Sequence, residues 1–331
     1  MTSKPLGKRL SFGADILDAR KAGIVVVLLS AAIVAFESVA VEGALNIADL
    51  DVFLVSAIPP LIGGTILLGY RPRKTQAFVS SLGRSGWMKM IVLGSLVGIG
   101  VLLWFDAVGR IGASKEAILG GGSSEVLFVV ILSAVFLGER LTRPEAVGSL
   151  LILGGVFIVL TNTSTVTLSI GFGEAEAIFS SLILGASVVY TTHLLRDYDL
   201  MPLSGLELII SGIVVLVVGA IAGLVRWPTD LEGWLVLVGV GLFPAFGLGT
   251  YNSGLTLVGA SLTSVLFALT GIMTVGAQIA VLAFAPNADI MLPQSVPLAV
   301  LGGAVAFAGV YLLNRKKSPK PMRTRSAEGE I

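Results

Sequence analysis

The sequence predicts an all-α polytopic membrane protein with ten transmembrane helices, arranged as two inverted five-helix repeats. Three observations carry this reading. Ten apolar stretches run continuously along the chain, as helices demand and the alternating strands of an outer-membrane barrel do not. Charge is sparse: of 331 residues, 55% are hydrophobic and 13% charged, against about 25% charged in an ordinary soluble domain, and the mean hydropathy is +0.94. The fifth and tenth stretches also end alike, with Gly148, Gly155 and Val156 recurring as Gly302, Gly309 and Val310 at one constant offset. Five is an odd number, so a second copy must enter the membrane with the opposite orientation. Inverted repeats of this kind mark secondary transporters.

The elements follow in order. Residues 1–21 read as a cytoplasmic tail. They hold five basic residues up to Lys21, plus Asp15 and Asp18, and no apolar core, unlike a cleaved signal peptide. A spanning helix needs about 20 mostly apolar residues. The first repeat, 22–161, supplies them at 22–45, 51–70, 87–108, 112–136 and 144–161. A polar external linker, 162–171, leads to the second repeat, 172–313, with spans at 172–194, 202–225, 232–251, 259–284 and 295–313. The basic, proline-containing segment 314–331 reads as a solvated cytoplasmic tail.

Lysine and arginine set the orientation. Nineteen of them fall on the side of the termini and three, Arg110, Lys115 and Arg226, on the other. Both termini are therefore expected in the cytoplasm of a multi-pass cell-membrane protein. Trp87 lies near the inner interface and Trp227 and Trp234 near the outer one, where tryptophan anchors helices.

Composition also excludes. Without cysteine there is no disulfide or thiolate metal site, and one histidine leaves no basis for a His-based one. The sequence has no zinc-protease helix, no nucleophile elbow and no P-loop. No enzyme activity, cofactor, metal or nucleic-acid partner is expected. The expected partners are the lipid bilayer, a small-molecule substrate, a coupling proton and a second copy in a homodimer.

Residues 105–156 carry a pattern: Phe105-Asp106-Ala107-Val108, Gly112-Ala113-Ser114, then a helix closing on Phe136-Leu137-Gly138-Glu139-Arg140-Leu141, then Gly148 to Gly155. This resembles the EamA-type branch of the drug/metabolite transporter superfamily. The resemblance covers residues 21–313, because Gly259-Ala260-Ser261 repeats Gly112-Ala113-Ser114. It implies a transporter. The family's intramembrane Glu-Pro falls on Glu125-Val126 counted back from Leu137-Gly138-Glu139, or on Ser123 counted forward from Ala113-Ser114. In the second half Thr270-Gly271 stands there.

Several residues are candidates for substrate binding or coupling. Gly120, Gly121 and Gly122 precede Ser123, Ser124 and Glu125 near the middle of the fourth span. Three glycines forfeit about 3 kcal/mol of helix propensity, so the segment either packs tightly or unwinds, and unwound midplane backbone is where transporters bind substrates. Glu125 is the most deeply placed acid. An intramembrane carboxylate is a functional hypothesis by default, and this one could exchange a proton during transport. Glu37 is a second such acid, able to take an amino group or to pair with Lys115. Glu42 lies nearer the surface and is expected to be solvated. Lys115 would snorkel to water or face an anionic ligand, and Asp106 and Arg110 are spaced for a local pair. Trp104, Tyr190, Phe246, Tyr251 and Asn252 could line a cavity, with Thr270 and Gln278 as polar candidates from the second repeat. Pro59-Pro60 and Pro244 would kink their helices. Glu139-Arg140 reads as structural and His193 as interfacial.

The leading expectation is a secondary transporter, an exporter of small polar metabolites such as amino acids, working by alternating access. The alternative is a non-transporting membrane scaffold or lipid-handling protein.

Overall fold

The computed structural model describes residues 7–121, 123–137, 143–160, 170–194, 198–293 and 295–314. Among the described residues every regular element is a helix. In chain order they are α1 Gly7–Asn46, α2 Val52–Tyr70, α3 Pro72–Ser81, α4 Arg84–Ile111, α5 Ala113–Leu119 and α6 Ser123–Leu137, then α7 Arg143–Leu160, α8 Phe172–Leu194, α9 Leu200–Ala222, α10 Leu231–Phe267, α11 Thr270–Phe284 and α12 Val296–Asn314. Six contain segments long and apolar enough to cross a membrane: Lys21–Asn46, Val52–Tyr70, Arg84–Ile111, Phe172–Thr191, Leu200–Ala222 and Leu231–Tyr251. Ala146–Val159, Thr270–Phe284 and Val296–Leu312 are shorter apolar helices. The chain is a multi-pass membrane protein.

Local chemistry sets the helix ends. The Asp51 carboxylate caps α2 by accepting from the amides of Phe53 and Leu54, at 2.9 and 3.3 Å, the usual service of an N-cap acid. Gly112, at φ 82°, stops α4, and Gly223, at φ 66°, stops α9. Both conformations exclude most side chains.

Three features differ from the sequence expectation. Helix α1 begins at Gly7, well ahead of its apolar span. A short helix, α3, fills the connection after α2. It is amphipathic: Phe78 is buried edge-on against the Tyr198 ring while Arg73 and Lys74 are exposed. Its single apolar stripe is too short to announce itself as a periodic pattern.

The third difference concerns the fourth and ninth spans. The expected helix 112–136 is two helices, α5 and α6, separated at Gly120 and Gly121. In the second half α10 runs through the expected loop after 251 and breaks at Ala268 and Leu269 instead. It cannot be straight. The rings of Tyr251 and Phe267 are 5.0 Å apart, whereas a straight helix would separate these positions by about 24 Å. The stretch between them, which contains Gly254 and Gly259, turns back on itself. The starts of α4 and α10, and both ends of α6 and α11, are related by one offset. The two halves therefore follow one plan: a long helix, a sharp reversal, a short helix, a break, and a second short helix.

The glycines that recur between the fifth and tenth stretches form a seam. A Cβ on Gly155 would lie 2.5 Å from the carbonyl oxygen of Gly302 and 2.7 Å from the amide of Ala306. One on Gly309 would lie 2.5 Å from the carbonyl oxygen of Gly148. Helices α7 and α12 thus meet backbone to backbone, as small residues allow within lipid. Gly154 has nothing near its missing Cβ. Gly155→Leu is therefore expected to lower the stability of the purified protein by about 1–3 kcal/mol or more, read as a depressed thermal midpoint in detergent. Gly154→Leu should leave the midpoint unchanged. Equal effects of the two changes would show that the seam is not tightly packed.

Candidate functional site

The break between α5 and α6 is shaped by close backbone approach. The amides of Gly120 and Gly121 both donate to the carbonyl of Glu116, at 2.6 and 3.3 Å. The Ser181 hydroxyl of α8 donates to the carbonyl of Gly120. A Cβ on Gly120 would run into the Glu116 carboxylate and come within 2.9 Å of the Ala177 carbonyl. The glycines thus let α8 close on the break while a hydroxyl serves its freed carbonyl. The second break lies against the first. A Cβ on Gly271 would sit 3.1 Å from Ile118 and 3.3 Å from the Ala117 carbonyl. The Thr270 hydroxyl donates to the carbonyl of Phe267 at 2.6 Å. One interrupted helix from each half therefore meets the other. Ser123 and Thr270 occupy matching positions as the first residues of α6 and α11.

Carboxylates gather on this region. Glu116 is buried and accepts from the indole N–H of Trp104 at 2.6 Å. Glu125, two residues into α6, lies within electrostatic reach of both Glu116 and Tyr251. It makes no hydrogen bond or ion pair among the described residues, and it is partly accessible though set deep between helices. Trp104 and Tyr251 are equivalent under the offset that relates α4 to α10. One aromatic from each half thus approaches the acidic pair. Ser124 is buried beside Glu125.

The end of the bundle where α1 finishes is bound together by other acids. Glu42 is fully buried, not solvated as expected. It accepts from the amide of Ala113 at 3.1 Å, from the Gln278 side chain at 2.6 Å and from the amide of Met291 at 2.6 Å. Hydropathy reads a polar residue near a span end as wet, but here the α11–α12 connection folds over it. Lys115 pairs with Glu174 of α8 rather than with Glu37, because α5 presents it across to that helix. Arg110 hydrogen-bonds Asp106 at 2.9 Å, as the spacing suggests, and forms an ion pair with Glu176 at 3.1 Å.

The remaining candidates are dispersed. Glu37, on α1, is 5% exposed and has no hydrogen-bond or ionic partner among the described residues. Gln278 is committed to Glu42, and its own carbonyl oxygen is left without a partner. Tyr190 packs at the edge of the main apolar core. Phe246 is 58% exposed. The side chains of Ser123, Asn252 and His193, and all of Gly122, Glu139, Arg140 and residues 161–169, which include most of the expected linker 162–171, lie outside the described residues. Sequence reasoning passed over Glu207 of α9, an enclosed carboxylate with no partner among the described residues. An acid inside the apolar run 202–225 was the signal that could have found it.

A bundle of apolar helices, with two interrupted helices meeting around carboxylates and aromatics, has the architecture of a membrane transporter. The profile of the EamA-like transporter family matches residues 21–161 and again 171–315. The chain belongs to the EamA-like transporter family. A solved structure titled "Crystal structure of protein" superposes with a TM-score of 0.59 over 90% of this chain and 99% of that one, at 16% identity, which shows a shared fold. No curated protein matches the sequence.

Trp104→Phe keeps the ring but strips a buried carboxylate of its donor. It is expected to cost about 1–3 kcal/mol, measured as a lower thermal midpoint. A Trp104→Phe protein as stable as the wild type would show that the indole bond to Glu116 contributes nothing.

Proposed function

We propose that the chain is a secondary transporter of the cell membrane, an exporter of small polar metabolites such as amino acids, working by alternating access. In this reading 22–161 and 172–313 are two inverted five-helix repeats, giving ten spans with both termini in the cytoplasm. The observation that carries it is the meeting of the two helix breaks, Gly120–Gly121 from one half and Ala268–Leu269 from the other, with Gly271 lodged against Ala117 and Ile118. Interrupted helices at a repeat interface are where transporters hold substrate. α10's reversal between Tyr251 and Phe267 supports the count, since it separates an eighth span from a ninth. The distribution of lysine and arginine supports the orientation.

The roles follow from position. Glu125, Ser123, Ser124 and Gly121 flank the first break, Thr270 flanks the second, and Trp104 and Tyr251 are the aromatic walls. Glu125 binds a polar or amino group of the substrate, or carries a coupling proton. On this orientation the bonds of Glu42 to Ala113, Gln278 and Met291 lie on the external side. They tie the first half to the second there, so opening outward requires their rupture.

Cells making the protein should show a raised external-to-internal ratio of at least one amino acid or related metabolite, compared with cells lacking it. Glu125→Gln, at equal membrane abundance, should lower that ratio's rate of rise by about tenfold or more, the scale of a lost charged contact. An unchanged ratio across a broad metabolite panel would defeat the export reading. An unchanged rate in Glu125→Gln would remove Glu125 from the site.

A further inference from the structure

Glu37 is a carboxyl group enclosed in the bundle with no partner of its own among the described residues. A buried carboxylate left bare is costly, and a protonated one must still donate its O–H somewhere. The packing of α1 on α10 indicates where. The helices run antiparallel: a Cβ on Gly23 would sit 2.8 Å from Leu257, Gly254 lies against Val27, and a Cβ on Gly247 would sit 3.3 Å from Val34. The Ser30 hydroxyl donates to the carbonyl of Gly247 at 2.8 Å. Two turns along α1 from Ser30, on the same face, is Glu37. Two turns back along α10 from Gly247 is Val240. Four residues after Val240 comes Pro244, inside the helix. Proline has no N–H, so the carbonyl of Val240 lacks its helical donor. The orphan donor on α1 and the orphan acceptor on α10 therefore stand at one level of the bundle, with Val240 and Pro244 both buried.

We propose that Glu37 is a proton-binding site whose bound proton is donated to the carbonyl of Val240, linking α1 of the first half to the proline-containing turn of α10 in the second. The ligand is a proton taken from water and returned to it; no bond between heavy atoms changes. With the proton gone, a carboxylate faces a carbonyl oxygen, and the two repel. Occupancy thus sets whether the contact between the two helices at the Pro244 turn is attractive or repulsive. As a coupling step this rests on the transporter reading, while the site itself does not.

Few charges face Glu37 to complicate it. α2, which packs on Pro244 through Gly63, carries only Tyr70, its last residue, and α11 has no acid or base within Thr270–Phe284. α10 carries Glu232 at its start and Tyr251 on the far side of Pro244. α4 carries Arg84, Lys89, Asp106 and Arg110 towards its ends. Glu42 of α1, and Lys115 and Glu116 of α5, are bonded elsewhere, and Lys21 sits at the opposite end of the span.

Infrared spectroscopy of the purified, full-length protein in lipid tests the site without any substrate. The wild type should show a carboxylic-acid C=O band at neutral pH that shifts in D2O and disappears in Glu37→Gln. In Pro244→Ala the new N–H recaptures the Val240 carbonyl, so the Glu37 band should move to higher frequency as its hydrogen bond weakens. Glu37→Asp, which draws the carboxyl back by one methylene, should show the same upward shift and serves if Pro244→Ala folds poorly. A band indifferent to Glu37→Gln overturns the proton site. A band that Glu37→Gln removes but that stays in place in both other variants overturns the link to Val240. Neither result depends on whether the protein transports anything, so failure here is distinct from failure of the export reading.

Discussion

A backbone amide or carbonyl inside a bilayer has no water to fall back on, and this one constraint organises the molecule. Helices meet it along most of the chain. Where they stop inside the bundle, another part of the protein must take over. Ser181 bonds the carbonyl of Gly120 at one break, and Thr270 bonds that of Phe267 at the other. Glu42 takes the amides of Ala113 and Met291 where α5 starts and where the α11–α12 connection passes. At Gly120, Ala113 and Met291 the irregular backbone is thus also a point of contact between helices distant in sequence, whereas at Phe267 the relief is local. A bundle held this way is joined at a few polar nodes and otherwise packed through glycine, as at the α7–α12 seam.

Much of the helical plan was legible because apolar length and charge poverty are strong signals. The internal repetition was legible through Gly148, Gly155, Gly302 and Gly309. Those glycines matched because they face each other, and backbone contact tolerates nothing larger. The offset they revealed, however, is not the one relating α4 to α10 or α6 to α11. The longer connection between α11 and α12 lies between the two alignments. Only the second offset pairs Trp104 with Tyr251.

The candidate site was less legible, because hydropathy reports how a residue partitions and not which residue it meets. Glu37 and Glu125 stood out as acids in apolar runs, and both lack partners among the described residues. Glu42 looked like a solvated end residue, since nothing local announces a loop arriving from position 291. Lys115 looked free because Glu174 lies beyond a polar linker. The second half also supplies acids: Glu174 and Glu176 engage the cations of the first half, and Glu207 adds an acid of its own. Distant partners decide each of these cases, and a single sequence carries no record of them.

The Glu42 node has a consequence for how the protein is made. Its carboxylate leaves the ribosome early, on α1, but its last donor, the amide of Met291, follows only after α1 to α11 have been synthesised. Until then the end of α1 holds an acid without its full set of donors. A nascent chain stalled or cleaved before residue 291 exposes that acid where the finished protein hides it, giving membrane quality control a direct mark of incompleteness.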